Sequence, residues 1–281
     1  MRYVPLPFHP SLTSAYPALV HRWLFDVPGI LHRDLSPHNI MWRLVMEMNA
    51  RGEQEQKVYG VLTDYDLSSW KKHLPNGYTM TSRQRTGTPP YMAQELLQGT
   101  SDTNLYRHDV ESLFYIMLLL GARHTIRPAK GGPDVGKEIR VVMREGAHPY
   151  QEWFNTQKYR ILGLIKEGFF LRLGPIELSP AFEDFRPWLH RLRHNFSRGF
   201  HKLQYHKIEE DTLLLEAGGS VGGLAPTSTP FDNETLGGHV DYSIIVESTR
   251  NLKGQLEGLI VRYNPTPPPL LSPIGAVQAD S

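Results

Sequence analysis

The chain has 281 residues, a formal net charge of +1, 40% hydrophobic and 21% charged residues, and no cysteine. That composition suits a globular core rather than a disordered chain, and the near-zero charge gives no electrostatic reason to expect nucleic acid or a membrane surface as partner. Without cysteine, a disulfide framework, a thiolate metal site and a catalytic thiol are excluded, which fits an intracellular protein.

The opening MRYVPLPFHP carries prolines where a signal peptide has its apolar run. Residues 11–26 read as a helix interrupted by Pro17 and ended by Pro28-Gly29. Residues 40–47 and 57–63, rich in β-branched and bulky side chains, read as a hairpin whose strands are joined by the polar run NARGEQEQ. A long polar loop follows at 68–88, then a short helix near Tyr91 carrying MAQELL. Residues 109–120 are apolar on all sides, as in a buried helix, with Gly121 placed to cap it. Its apolar run, Leu113–Leu120, falls far short of the roughly 20 residues that span a bilayer. Amphipathic helices are expected at about 150–167 and 181–200, their Trp and Phe residues forming core. Residues 207–240 read as a flexible linker, and 241–281 as a marginal helix with a Pro-rich disordered tail.

The chemistry starts at GILHRDLSPHNIMWR. His32-Arg33-Asp34 is followed by Asn39 with the spacing H-R-D-x-x-x-x-N of a phosphoryl-transfer loop. In that chemistry a carboxylate accepts the proton of the attacking hydroxyl, an amide oxygen binds one magnesium ion, and a second carboxylate holds metal against the nucleotide phosphates. The hairpin supplies the second carboxylate. Asn39 precedes the first strand and Asp64 follows the second, so antiparallel pairing brings both to the open end of the hairpin. Two further motifs follow in order: TGTPPYMAQE (Thr86–Glu95) and YRHDVESL (Tyr106–Leu113).

Taken together, these motifs resemble the large lobe of a eukaryotic-like protein kinase over residues 12–200. HRDLSPHNIM, LTDYDLS, RTGTPPYMAQELL and LYRHDVESLFYIM look more narrowly like the fungal-type protein kinase family. The resemblance implies a mainly α (α+β) fold, with a protein-kinase large lobe over 1–206 and a small β-hairpin at the catalytic loop. It implies a Ser/Thr protein kinase that uses ATP and Mg2+ and takes a protein as substrate. Asp34 would be the base, with Arg33 and Ser36 beside it in the loop, and Asn39 and Asp64 would hold metal and nucleotide. Thr88 would hydrogen-bond near Asp34, and Glu95 would form a structural ion pair with an Arg that the sequence does not identify. Asp109 would bond the catalytic-loop backbone. Arg33 either clamps a phosphorylated residue such as Thr79, Thr81 or Ser82, or braces the loop.

Three departures stand out. Ser36 occupies the position where most Ser/Thr kinases carry a Lys that touches the transferring phosphate, so one charge is absent from the transition state. Asp66 replaces the Gly of Asp-Phe-Gly, either as an added metal-directed carboxylate or as a solvated turn residue. No G-x-G-x-x-G loop or strand Lys precedes the catalytic loop, so the N-terminal ATP-binding lobe is expected to be missing. Three readings therefore stand: a Ser/Thr kinase present as an incomplete chain, an inactive pseudokinase acting as a scaffold, and a small-molecule phosphotransferase of the aminoglycoside or choline kinase type. The peptide-docking style of TGTPPYMAQE argues against the last. His32 reads as a core residue supporting the loop, and a His32–His38 metal pair lacks a third ligand.

Overall fold

In a computed structural model of the chain, residues 21–49, 51–70, 87–101, 103–128, 139–216 and 230–244 are described. Helical backbone at 21–26 (α1) leads into β1 (Ile30–Leu31), β2 (Ile40–Met48), β3 (Gln54–Leu62) and β4 (Ser69–Trp70). Then come α2 (Gln94–Gln98), α3 (Tyr106–Arg123), β5 (His124–Pro128), β6 (Ile139–Met143), α4 (Glu152–Asn155), α5 (Tyr159–Leu171), a 3-10 turn (Pro180–Phe185) and α6 (Arg186–Glu216). The strands pair as three separate antiparallel ribbons, β1–β4, β2–β3 and β5–β6. The described residues are thus mainly helical with small strand pairs.

Helix α3 has no solvent face to spare. Val110, Leu113, Phe114, Tyr115, Leu118 and Leu119 are all buried, as its all-round apolar sequence requires. Phe114 lies 6.2 Å from Phe169, 5.6 Å from Phe170 and 5.9 Å from Phe196, so α3, α5 and α6 meet over an aromatic cluster. The helix starts at Tyr106, three residues before its all-round apolar stretch, and its N-terminus is closed from far along the chain. The Glu234 carboxylate accepts the Tyr106 amide at 2.7 Å. Gly121 is inside α3 and not its cap. A Cβ there would meet Leu178 Cδ2 at 3.2 Å, so its smallness serves packing.

The hairpin has longer strands and a tighter turn than the polar run NARGEQEQ suggested. The ladder continues to Met48 opposite Gln54. Asn49 Oδ1 accepts the amides of Arg51 and Glu53, both at 2.9 Å, and Gly52 takes φ +76. At the far end of the ribbon Met46, Met48 and residues 51–54 are exposed, so polar residues there can extend the ladder without meeting a buried face.

The helix expected at 150–167 is two helices, broken after Asn155. There Thr156 turns its hydroxyl back to the Glu152 carbonyl at 2.6 Å. The helix expected at 181–200 opens as a 3-10 turn with Pro180 in its first turn and then runs on to Glu216. That run passes the expected start of the linker at 207, because Lys207–Glu216 is mostly strong helix formers. Residues 230–244 are also not free coil. Leu236 and Val240 are buried, and Arg22 pairs with Asp241 at 2.6 Å. Gly and Pro content concealed these few anchoring side chains. Residues 11–20 of the first expected helix, 71–86 of the polar loop, 217–229 and the tail from 245 lie outside the described residues.

Candidate phosphoryl-transfer site

The loop after β1 is pinned by a carboxylate from α3. Asp109, 3% exposed, accepts the His32 amide at 2.8 Å, the Arg33 amide at 3.0 Å and His21 Nε2 at 2.8 Å. Burial works to raise the Asp109 pKa, but His21, the nearby His32 and the amide bond outweigh it and hold the carboxyl below the usual aspartate range. Arg33 sits at φ +70, a region that non-glycine residues seldom adopt, and the two amide bonds to Asp109 fix it there. The His32 ring packs 4.9 Å from Tyr65, and its Nε2 lies 3.0 Å from the Thr63 carbonyl oxygen.

Asp34, the next residue, is held on both oxygens. Oδ1 accepts from the Thr88 amide at 3.2 Å and the Thr88 hydroxyl at 3.4 Å. Oδ2 accepts from Asn39 Nδ2 at 3.3 Å, and the same Nδ2 donates to the Asp34 carbonyl at 2.8 Å. Gly87 makes the approach of Thr88 possible: its φ is +126, and a Cβ would crowd Met92 Cγ at 2.9 Å.

Asn39 is 7% exposed, and its amide donates to the Ser36 carbonyl at 3.0 Å. Its own carbonyl accepts the Thr63 amide at 2.9 Å, at the open end of the ribbon where Ile40 faces Leu62. Asp64 is therefore one residue beyond the partner of Asn39. It is exposed and sits at φ +62. Because Nδ2 of Asn39 is committed to Asp34, the oxygen available to a ligand is Oδ1.

An amide oxygen and an exposed carboxylate are hard ligands of the kind Mg2+ accepts, with phosphates completing its shell. No group of three or more His, Cys, Asp and Glu among the described residues could hold a metal without such help. Asp66 is exposed in a turn closed by the Ser68 amide on the Tyr65 carbonyl at 2.9 Å. Among the described residues no hydrogen bond joins it to Asn39 or Asp64. Ser36 is 2% exposed, and its carbonyl braces Asn39. Arg33 Nε is buried without a hydrogen-bond partner, and burial lowers the guanidinium pKa; Thr79, Thr81 and Ser82 lie outside the described residues.

Behind the site, Glu95 forms a buried ion pair with Arg107 and lies 3.4 Å from His108 Nε2. Burial alone would raise the Glu95 pKa, but the hydrogen bonds and charges of His108 and Arg107 lower it to about 2. Arg107 also donates through Nε to the Asn233 carbonyl at 2.7 Å. This is the arginine that sequence reasoning did not find. Its signal was in YRHD, where it shares the first turn of α3 with Asp109. Gln94 stands at the proline position of the Ala-Pro-Glu pattern, and its amide donates to Glu111 Oε1 at 2.8 Å, a bond proline could not make.

Residues 18–120, which contain all of these site residues except Asn233, match the family described as fungal protein kinase. A serine/threonine-protein kinase of Chlamydia pneumoniae, PknD, is 35% identical over 135 residues, covering 44% of this chain and 13% of that protein. No solved structure matches the chain. The motifs, their order and this match point the same way: over residues 18–120 the chain is similar to the fungal protein kinase family.

Proposed function

We propose that the chain is the large lobe of a Ser/Thr protein kinase that transfers the γ-phosphate of ATP to hydroxyls of a protein substrate. The observation that carries this reading is the triangulation of Asp34. Asn39 from the head of the hairpin and Thr88 from the TGTPPYMAQE segment (residues 86–95), the docking loop of this reading, both end on its carboxylate. A base tied in this way to the segment that would align a peptide is placed to accept a proton from a peptide hydroxyl. Asn39 Oδ1 and the Asp64 carboxylate are the oxygens that would hold Mg2+, which when bound would neutralise charge on the transferring phosphate. The backbone of His32 and Arg33, fixed by Asp109, keeps Asp34 in register with them. No lysine stands near Asp34 in the loop, since Ser36 takes that position; Arg33 is the one guanidinium within residues 32–39, and any further fixed positive charge on the transferring phosphate must come from outside them.

The test uses the natural full-length gene product, incubated with γ-labelled MgATP and, separately, Ser/Thr peptides and small hydroxyl metabolites. Label on peptide Ser or Thr is expected. Label on metabolites alone would replace the reading with a small-molecule phosphotransferase. Failure to bind MgATP at all would replace it with a pseudokinase scaffold.

A further inference from the structure

Lys166 on α5 is fully buried, yet none of the steps above uses it. Its ammonium donates to the carbonyls of Pro89 at 3.2 Å, Pro90 at 2.9 Å and Met92 at 2.6 Å. Three acceptors match the three protons of an ammonium. The same nitrogen lies 3.9 Å from the ring centre of Tyr115 and 5.3 Å from that of Trp153, so aromatic faces complete its surroundings. Burying a cation is costly: desolvation drives the Lys166 pKa well below the usual lysine range, opposed by the negative charge of Glu111. A leucine or methionine would fill a core position without that cost, so the charge has a task.

The task is visible in what the lysine touches. Its three acceptors all belong to the docking loop, whose first residue, Thr88, is bonded to Asp34. The next stretch of the loop is taken by Glu111, whose Oε1 accepts the Gln94 amide at 2.8 Å and the Tyr115 hydroxyl at 2.6 Å. Tyr115 thus lies between the Lys166 ammonium and the Glu111 carboxyl. Gly163, one turn before Lys166, lets α5 close on this loop and α2. A Cβ there would sit 2.9 Å from the Gln94 carbonyl oxygen and 2.5 Å from Gln98 Cγ. The inner side of residues 88–94 is therefore gripped by one buried cation from α5 and one buried carboxyl from α3.

Resting on the kinase reading, we propose that Lys166 and Glu111 are positioning residues for the acceptor peptide: they set the orientation of the 88–94 segment against Asp34 through its carbonyls and the Gln94 amide. Neither touches the reacting atoms. Both act through the loop.

The experiment compares full-length wild type, Lys166→Met and Glu111→Met by amide hydrogen exchange, with the buried part of α6 as internal reference. In Lys166→Met the amides of Tyr91, Met92 and Gln94 should exchange about tenfold faster or more, with α6 unchanged. In the same variant the peptide KM should rise about tenfold while MgATP affinity holds. Unchanged exchange in the loop, or equal acceleration in loop and α6, overturns the proposal. If Lys166→Met does not fold, Glu111→Met removes the acceptor of the Gln94 amide, which must then exchange faster than in wild type; unchanged exchange there also overturns it. A wild type that transfers no phosphate to any peptide counts against the kinase reading, while the exchange data still decide whether the loop depends on Lys166.

Discussion

Asp109 shows how one buried carboxylate can fix the backbone of the loop that carries Asp34. Its two oxygens take two successive backbone amides, and His21 from α1 completes the set. Replacing it with Asn would leave one of those amides unpaired in a buried place, at a cost of about 1–3 kcal/mol. The check is a urea titration together with exchange at the His32 and Arg33 amides, which should lose protection first.

Glu95 makes a prediction about acid. Its folded pKa of about 2 lies below the ordinary value of 4.5, so its stabilisation is fully present above pH 4.5 and is lost as the pH falls toward 2. Denaturation between pH 2 and 5 should show that loss in wild type and not in Glu95→Gln. The variant should itself be about 3–5 kcal/mol less stable at neutral pH, because Arg107 is left buried and unpaired. At this scale the sequence was legible where motif spacing put side chains on one loop, as for Asp34 and Asn39. It was not legible for Arg107 and Lys166, whose partners are set by how helices pack rather than by spacing along the chain.

Elements carry the second layer. The β2–β3 ribbon could be read from its β-branched and bulky residues, and its antiparallel ladder brings Asn39 opposite Thr63, next to Asp64. The break between α4 and α5 could not be read so easily, because apolar periodicity runs through it and the stop is marked by Thr156, whose amide and hydroxyl both turn back to the Glu152 carbonyl. The contact of α5 with residues 88–94 and α2 depends on Gly163, and Gly163→Ala should destabilise the protein by about 1–3 kcal/mol through overpacking.

Glu111 adds a pH signature to the same contact. Burial raises its pKa to about 7, against the hydrogen bonds from Tyr115 and Gln94 and the charge of Lys166. A raised carboxyl contributes stability that is full below pH 4.5 and disappears as the pH rises through about 7. Wild type should therefore lose stability from pH 4.5 to 7 relative to Glu111→Gln, whose profile should be flatter in that window. Denaturant midpoints of the two proteins measured across this range are the check.

Over the whole molecule, the site is tied to parts of the chain that look remote in sequence. Residues 230–244 reach back to close the N-terminus of α3 through Glu234, to hold Arg107 through the Asn233 carbonyl, and to meet α1 through Asp241 and Arg22. Leu236 anchors the segment against Gly199 of α6, where a Cβ would lie 2.6 Å from Leu236 Cβ. Leu236→Ala should cost about 2–5 kcal/mol and loosen Arg107 and Glu95 together, seen as faster exchange at the first turn of α3. Composition could not reveal this, since a handful of anchors in a Gly- and Thr-rich run leaves the average unchanged.

The most direct test of the assigned chemistry is phosphate transfer from MgATP to a Ser/Thr peptide by the natural full-length protein and its Asp34→Asn variant, with MgATP affinity measured alongside. If Asp34 is the base held by Asn39 and Thr88, kcat falls by about 100-fold or more while MgATP affinity is unchanged. Transfer by Asp34→Asn at the wild-type rate would contradict that assignment.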